Sequence, residues 1–225
     1  MSYFLAVHTT YSSIKIGIFN NNTMLFSSQE ETKKASKNCI VLIDDLLKNA
    51  CLLLKDISCL IVYRGPAPFT TLRVSVATVN GLAYAQNIPI IGVDGLACFA
   101  EEQKDTAFGQ TIVLLNAFGK DLYVGIYDTE EDFLIYNECM SLENLLIHIV
   151  QYNKSVKCVG NGASLYAQEL MAAAPERVFI PENNPETCSL ESVAKTGFEL
   201  WQQGSYSFDQ IMPLYLKNHP AQKAF

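Results

Sequence analysis

The stretch Tyr3–Ser28, YFLAVHTTYSSIKIGIFNNNTMLFSS, decides the fold of this chain. Its apolar and β-branched residues cluster or alternate in the runs Tyr3–His8, Ile14–Phe19 and Thr23–Ser28, as is typical of strands. The asparagines at positions 20–22 favour a tight turn between the last two runs, because Asn tolerates positive φ. The stretch therefore predicts an antiparallel meander of three strands.

The remainder of the chain predicts helices and strands in an order that the second half repeats. In the first half we expect helices at Lys33–Cys51 and Thr71–Gln86, strands at Ile57–Val62 and Pro89–Val93, and a short helix from the N-cap Asp94 to Glu102. In the second half we expect strands at Thr111–Ala117, Asp121–Asp128, Phe133–Cys139 and Val156–Val159, and helices at Ser141–Gln151, Ser164–Ala174 and Ser189–Gln203.

Each half thus has the order βββαβα, which predicts mixed sheets flanked by helices and an α/β class. This order indicates a duplicated actin-like (ASKHA, ribonuclease-H-like) fold. We expect an N-terminal lobe over residues 1–107, which carries the two long helices, and a smaller, degenerate lobe over residues 108–225. The tail of the second lobe is expected to return toward the first.

Composition excludes several classes of protein. Of the 225 residues, 49% are hydrophobic and 17% are charged, which excludes disorder as the bulk state. The net charge of -7 argues against binding of RNA phosphates by this chain alone. Apolar runs stay short of the roughly 20 residues of a spanning helix, so we expect no membrane role. The seven scattered cysteines, without a CxxC pair, indicate reduced thiols in a cytoplasmic protein and no metal site.

Nucleotide chemistry in such a duplicated fold needs acids on the hairpins that open the two halves. The matching positions here are His8 and Asn116, and neither is a carboxylate. Mg²⁺ prefers carboxylate and phosphate oxygens, and phosphoryl transfer depends on it. We therefore expect no independent ATP chemistry and assign no catalytic residue. The alternative is that Asp121 or Asp94 supplies the missing acid.

The loop Arg64–Thr71, RGPAPFTT, joins a buried strand to a helix start, where backbone N–H groups can hold an anion. It lacks the glycines and lysine of a phosphate-binding Walker loop, and its two prolines remove donors. The alternative is a rigid connection in which Thr70 or Thr71 caps the helix.

The two long helices of the first half are more apolar than a single buried stripe requires. Between Leu72 and Gln86, Arg73 is the only charged residue. A helix that is apolar nearly all round is buried on all sides. Either the spare face meets another protein, or the chain's own second half covers it. The candidate partner-interface residues are Cys39, Leu42, Ile43, Leu46, Leu72, Arg73, Val76, Val79, Asn80 and Ala83.

The segment Ile61–Val93, IVYRGPAPFTTLRVSVATVNGLAYAQNIPIIGV, resembles the TsaB (YeaZ) family, which typically reads V-G-R-G-P-G-S-F-T-G-L-R-I-G, then G-L-A and I-P-hydrophobic-G-V. The family-motif loop is matched by Arg64, Gly65, Pro66, Phe69 and Thr70. Further matches are Leu72, Arg73, Gly81, Leu82, Ala83, Pro89, Gly92 and Val93. Departures from the pattern stand at Ala67-Pro68 and Thr71, at His8 in place of Asp, and at Asn116-Ala117-Phe118 in place of D-A-R.

The resemblance implies a noncatalytic subunit of the cytoplasmic complex that makes threonylcarbamoyladenosine in tRNA. It implies binding to the catalytic subunit TsaD through the first two helices, with the ATPase TsaE in the full complex, and a homodimer through the same helices when the chain is alone. It leaves tRNA as an indirect partner and confines ATP or ADP to an interface of the full complex. The alternatives are an independent small actin-like ATPase or kinase, a protease-like enzyme, or a divergent protein-binding module.

Overall fold

The computed structural model describes residues 2–217, without the side chains of residues 35 and 36. The chain forms two compact units. Unit 1 comprises the residues up to Gly95 together with Ser189–Leu214. Unit 2 comprises Leu96–Cys188 together with the residues that follow Leu214.

Unit 1 is built on a sheet in the order β3–β2–β1–β4–β5. Its strands are β1 (Tyr3–Thr9), β2 (Ser13–Asn20), β3 (Thr23–Glu31), β4 (Ile57–Tyr63) and β5 (Ile90–Val93). The first three strands are antiparallel, whereas β4 runs parallel to both β1 and β5. The predicted meander is therefore confirmed, and β1 and β4 form the buried centre of the sheet.

The helices of unit 1 are α1 (Thr32–Asn49), α2 (Phe69–Gln86) and α7 (Leu190–Gln202). Helix α1 packs against α2, and α2 packs against β1 and β4. Helix α7 contacts the same strands through Gly197, where an added Cβ would lie 2.5 Å from Ile61 Cγ2. Phe4 joins this contact, with ring centroids 5.3 Å from Phe198 and 5.2 Å from Trp201.

Unit 2 repeats this arrangement in a sheet of order β10–β9–β6–β7–β8. Its strands are β6 (Gln110–Asn116), β7 (Asp121–Asp128), β8 (Phe133–Ser141), β9 (Val156–Val159) and β10 (Val178–Phe179). Its helices are α3 (Gly95–Gln103), α4 (Leu142–Gln151), α5 (Asn161–Leu165) and α6 (Ala167–Ala173). An antiparallel meander followed by a parallel strand thus occurs in both units, which confirms the predicted duplication of βββαβα.

The division between the units differs from the predicted boundary after residue 107. Helix α3 belongs to unit 2, because added Cβ atoms at Gly125 and Gly160 would meet its Leu96 and Phe99. Helix α7 belongs to unit 1, as its contact with Ile61 requires. Residues 218–225 of the predicted second lobe lie outside the described residues.

Two local features differ from the prediction. The helix predicted at Ser164–Ala174 is divided into α5 and α6, and α5 begins at Asn161. The short strand β10 was not predicted, since two residues give no periodic pattern. Within residues 2–217, no helix has both the length and the hydropathy that crossing a bilayer requires.

Candidate functional site

The first hairpin position for nucleotide chemistry is filled by a buried, neutral histidine. His8 is fully buried at the end of β1. Burial, with a smaller contribution from the charge of Lys15, lowers its pKa to about 3. Beside it, the hydroxyl oxygens of Thr9 and Ser75 lie 2.7 Å apart, which ties β1 to α2. The Thr10 hydroxyl accepts hydrogen bonds from the backbone of Ser13 and its neighbour at position 12.

The second hairpin position is held by amide groups and one lysine. The side-chain oxygen of Asn116 accepts a hydrogen bond from the backbone N–H of Phe118. Lys217 Nζ donates to the carbonyl oxygens of Ala117 and Phe118 and lies 2.8 Å from the carboxylate of Asp121. Asp121 is therefore engaged in an ion pair. Among the described residues, no group of three or more His, Cys, Asp or Glu side chains is placed to hold a metal ion.

The residues of the family-motif loop make hydrogen bonds within unit 1. The Arg64 guanidinium Nε donates to the carbonyl oxygen of Met212 at 2.8 Å. The Tyr63 hydroxyl donates to the carbonyl oxygen of Pro66. Helix α2 begins after the N-cap residue Pro68, with no side-chain hydrogen bond at its cap, so capping by Thr70 or Thr71 is not observed.

The ring of Phe69, at the first position of α2, lies under the Arg73 guanidinium, whose Cζ is 5.6 Å from the ring centroid. Thr70 is exposed beside them. The first turn of α2 therefore exposes the Thr70 hydroxyl beside the Arg73 guanidinium, which lies over the ring of Phe69.

Most of the predicted interface residues lie inside unit 1, which corrects their assignment to an exposed surface. The buried members are Cys39, Ile43, Leu46, Leu72, Val76, Val79 and Ala83. The unit covers these faces itself, because α1 packs against α2, β2 and β3, and α2 packs against β1 and β4. Burial also raises the pKa of the Cys39 thiol, and its hydrogen bond with Thr78 partly opposes this shift. Of the rest, Leu42 and Asn80 are half-buried and Arg73 is exposed.

Other apolar residues of the same two helices do face solvent. Ile40 and Val41, in the middle of α1, are 61% and 54% exposed. Tyr84, in the last turn of α2, is 91% exposed, and Leu53, after α1, is 60% exposed. Exposed apolar groups of this size, gathered on two packed helices, are typical of an interaction surface.

A groove of about 400 Å³ opens beside Ile40 and Val41. Its walls are apolar apart from the ion pair between Asp44 and Lys48, whose charged atoms are 2.5 Å apart. The lining residues are Ile40, Val41, Ile43, Asp44, Leu47, Lys48, Leu52, Leu53, Leu54 and Leu82. We call this groove, together with Ile40, Val41 and Tyr84, the α1–α2 surface. Its shape and chemistry suit an apolar side chain from another protein better than a polar ligand.

Most of the charges along α1 run against its dipole. Lys33, Lys34 and Lys37 stand in its first two turns and Asp44 and Asp45 in its fourth, whereas Lys48 in the last turn has the favourable sign and pairs with Asp44. A helix favours acids near its N-terminus and bases near its C-terminus. The three N-terminal lysines are therefore unfavourable for the isolated helix, and Ile40 and Val41 lie between this basic segment and the acidic residues Asp44 and Asp45.

Sequence reasoning missed Ile40, Val41, Leu53 and Tyr84 as exposed residues. The signal that could have found the first two is the exposed polar set at positions 37, 44 and 48, whose spacing marks the solvent-facing side of α1. No comparable polar set marks the outer side of α2.

The chain resembles known proteins in both sequence and fold. The family model described as "TsaD: tRNA N6-adenosine threonylcarbamoyltransferase" matches residues 28–182. The tRNA threonylcarbamoyladenosine biosynthesis protein TsaB of Escherichia coli is 22% identical, over 97% of this chain and 96% of its own length. The solved structure of YeaZ from Pseudomonas aeruginosa has a TM-score of 0.75 at 21% identity, over 96% of this chain and all of that one.

A more distant likeness concerns the fold alone. The ethanolamine utilization protein EutJ from Carboxydothermus hydrogenoformans has a TM-score of 0.51 at 12% identity, over 88% of this chain and 90% of its own. Together with the duplicated sheets, these similarities confirm the predicted actin-like α/β fold.

Proposed function

Since this chain belongs to the TsaB (YeaZ) family within the wider TsaD family and has a role in tRNA threonylcarbamoyladenosine biosynthesis, we propose that it is a noncatalytic subunit that binds a TsaD-type catalytic subunit. The proposal places that contact on the α1–α2 surface. One observation carries it: Ile40 and Val41 expose most of their area beside an apolar groove on a helix whose inner face is already packed.

The energetics of this surface favour a protein partner. Burying the exposed parts of Ile40 and Val41 would contribute about 1–2 kcal/mol each. A partner's apolar side chain in the groove would add a similar amount. An apolar centre with charged residues around it is the usual arrangement of a protein–protein interface.

The hairpin positions support a noncatalytic role. His8 is neutral and buried and Asn116 is an amide, so neither can hold Mg²⁺ as a carboxylate would. We propose that the chain itself needs no cofactor, and that ATP or ADP contributes, if at all, at an interface of the full complex with a TsaE-type ATPase. The net charge of -7 favours an indirect contact with tRNA through the complex, in the cytoplasm.

In the absence of its partner, the chain is proposed to form a homodimer through the same helices. If two α1 helices cross antiparallel midway between Ile40 and Val41, Lys37 of each copy faces Asp44 of the other. In this register Asp44, which pairs with Lys48 of its own helix, would also face a lysine of the other copy. Contact through the same helices would let one surface serve both a second copy and the catalytic subunit, one at a time.

The test uses Val41→Asp, with Ile147→Asp on α4 of unit 2 as a matched control, since Ile147 is 48% exposed. Both variants should fold, because both sites face solvent. In a deletion strain complemented with Val41→Asp, we expect loss of threonylcarbamoyladenosine from tRNA by nucleoside mass spectrometry, and loss of co-purification with TsaD. The Ile147→Asp variant should retain both. Full modification by Val41→Asp, with TsaD binding verifiably lost, would contradict the adaptor role.

A further inference from the structure

The segment Ser207–Leu214, which we call the strap, has no regular secondary structure but is firmly fastened to unit 1. At its start, Ser207 and Ile90 exchange both backbone hydrogen bonds, at 2.8 and 3.1 Å. This antiparallel bridge places the strap along the free edge of β5. At its end, the N–H of Leu214 donates to the carbonyl oxygen of Arg64 at 2.8 Å.

The middle of the strap is held by two side chains of the first half. The Asn80 amide donates to the carbonyl oxygen of Ile211 at 2.8 Å and accepts from its N–H at 2.9 Å. It therefore binds the backbone of Ile211 as a neighbouring strand would. Arg64 adds the hydrogen bond to Met212 described above.

Gly92 leaves space beside β5 for the side chains of Arg64 and Ile211. An added Cβ at Gly92 would lie 2.3 Å from Arg64 Cδ and 2.8 Å from a methyl group of Ile211. The aliphatic part of Arg64 thus lies flat on β5, between the sheet and the strap. Arg64 and Gly92, which the family motif contains, therefore bind a segment of the chain's own backbone.

The strap exposes two large apolar side chains, Phe208 and Met212, with the exposed polar residues Asp209 and Gln210 between them. Phe208 and Met212 are 60% and 56% exposed, and Tyr206, just before the strap, is 45% exposed. The rings of Tyr206 and Phe208 meet edge to face, 6.1 Å apart between centroids. Three large apolar side chains exposed within residues 206–212 form a patch, whereas single exposed apolar residues are ordinary on a protein surface.

The strap borders the outer face of α2, to which Tyr84 of the α1–α2 surface belongs. Asn80, which holds Ile211, lies on α2 in line with Arg73, Ala77 and Tyr84 at spacings of four and three residues, so these side chains share one face. Arg73, Ala77 and Tyr84 are all exposed. The strap therefore lies next to the outer face of α2, at the turn that contains Asn80.

We infer that the strap, through Phe208 and Met212, forms a second part of the surface that receives the TsaD-type subunit. This inference rests on the proposed function and adds residues to its site. In it, Asn80 and Arg64 are positioning residues, which act on the partner through the strap. Because the strap is already ordered, binding through it avoids most of the entropy loss of ordering a loop.

The test measures the affinity of the intact chain for the TsaD of the same source by calorimetry. Phe208→Asp and Met212→Asp should each weaken binding at least tenfold. The matched control is Met171→Asp on α6 of unit 2, because Met171 is 47% exposed and undergoes the same substitution. Its affinity should stay within twofold of the unmodified chain. Thermal unfolding of all three variants should be unchanged, since each site is exposed.

Asn80→Ala tests the positioning role separately. We expect faster hydrogen exchange at the N–H of Ile211, weaker TsaD binding and an unchanged unfolding midpoint. Faster exchange with undiminished affinity for TsaD would overturn the positioning role of Asn80.

The two proposals fail in distinguishable ways. Normal binding by Phe208→Asp and Met212→Asp, together with lost binding by Val41→Asp, would overturn the strap inference and leave the proposed function standing. Normal binding by all three would overturn both. Equal weakening by Met171→Asp and Met212→Asp would show a general charge effect and also count against the strap.

Discussion

The imidazole ring of His8 lies 4.6 Å from the ring of Tyr63, centroid to centroid, inside the core of unit 1. Both side chains are fully buried. The position at which nucleotide-binding relatives of this fold would need a carboxylate thus holds an uncharged ring packed on another ring. His8 is therefore part of the core, and the free energy of unfolding depends on whether its ring is protonated.

Acid should therefore destabilise the protein through His8. Its pKa falls from 6.5 to about 3 on folding, chiefly because of burial and secondly because of Lys15. Below pH 6.5 the unfolded chain binds a proton that the folded chain does not, so stability decreases as the pH falls. The loss is about 1.4 kcal/mol for each pH unit between roughly 6 and 3.

Urea unfolding of the intact chain and of His8→Gln at pH 7, 6, 5 and 4 checks this. The difference in unfolding free energy between the two proteins should shrink as the pH falls, because Gln does not titrate. Carboxylates and His148 contribute equally to both and cancel. A difference that stays constant with pH would show that folding leaves the pKa of His8 unchanged.

Titration with magnesium-ATP should show no binding tighter than about 1 mM, which corresponds to roughly 4 kcal/mol. The reason is that Asp121 is paired with Lys217 and that His8 and Asn116 are not carboxylates. Isothermal calorimetry of the isolated chain measures this. Micromolar binding, with hydrolysis that is lost in Asp121→Asn or Asp94→Asn, would contradict the expectation.

The fold could be predicted from the sequence because its signals are local. The Asn20–Asn22 turn and the strand runs on either side of it define the meander, and repetition of that order in the second half defines the duplication. The family was also identifiable, since Arg64, Gly65, Pro66 and their neighbours occur in the order and spacing of its motif.

The site could be predicted only in part, because its decisive contacts are not local. Asn80 and Ile211 are 131 residues apart, and nothing near either of them indicates the pair. The outer side of α2 carries Ala77, Gly81 and Tyr84, whose apolar character resembles that of its buried side. Val76 and Val79 were therefore assigned to the interface although they belong to the core.

Charge substitutions on α1 and α2 should distinguish residues of the core from residues of the surface. Val76 is 2% exposed, so Val76→Glu would bury an unpaired carboxylate and should unfold unit 1. Val41 is 54% exposed, so Val41→Glu should keep the fold and yield a monomer. Circular dichroism on heating and sedimentation velocity measure the two effects. A folded Val41→Glu protein that remains dimeric would exclude this part of α1 from the dimer contact.

Charge reversal on α1 should test the proposed homodimer directly. In an antiparallel crossing between Ile40 and Val41, Lys37 and Asp44 of different copies lie opposite each other. Lys37→Glu or Asp44→Lys alone would place like charges there and should weaken the dimer, whereas the double variant should restore it. The expected coupling is modest, about 1 kcal/mol or less per pair, because both side chains are exposed and screened.

The matched control is Lys33→Glu, which changes the net charge as Lys37→Glu does. Lys33 lies about 11 Å along the helix from the crossing point, where crossing helices have already diverged. In the same register Lys33 would lie nearest Lys48 of the other copy, so Lys33→Glu should not weaken the dimer. Sedimentation equilibrium at low salt, where exposed charges interact most strongly, gives the dissociation constants of the intact chain and the four variants. Equal weakening by Lys33→Glu and Lys37→Glu, or a double variant no tighter than the single ones, would show that α1 does not pair with itself in this register.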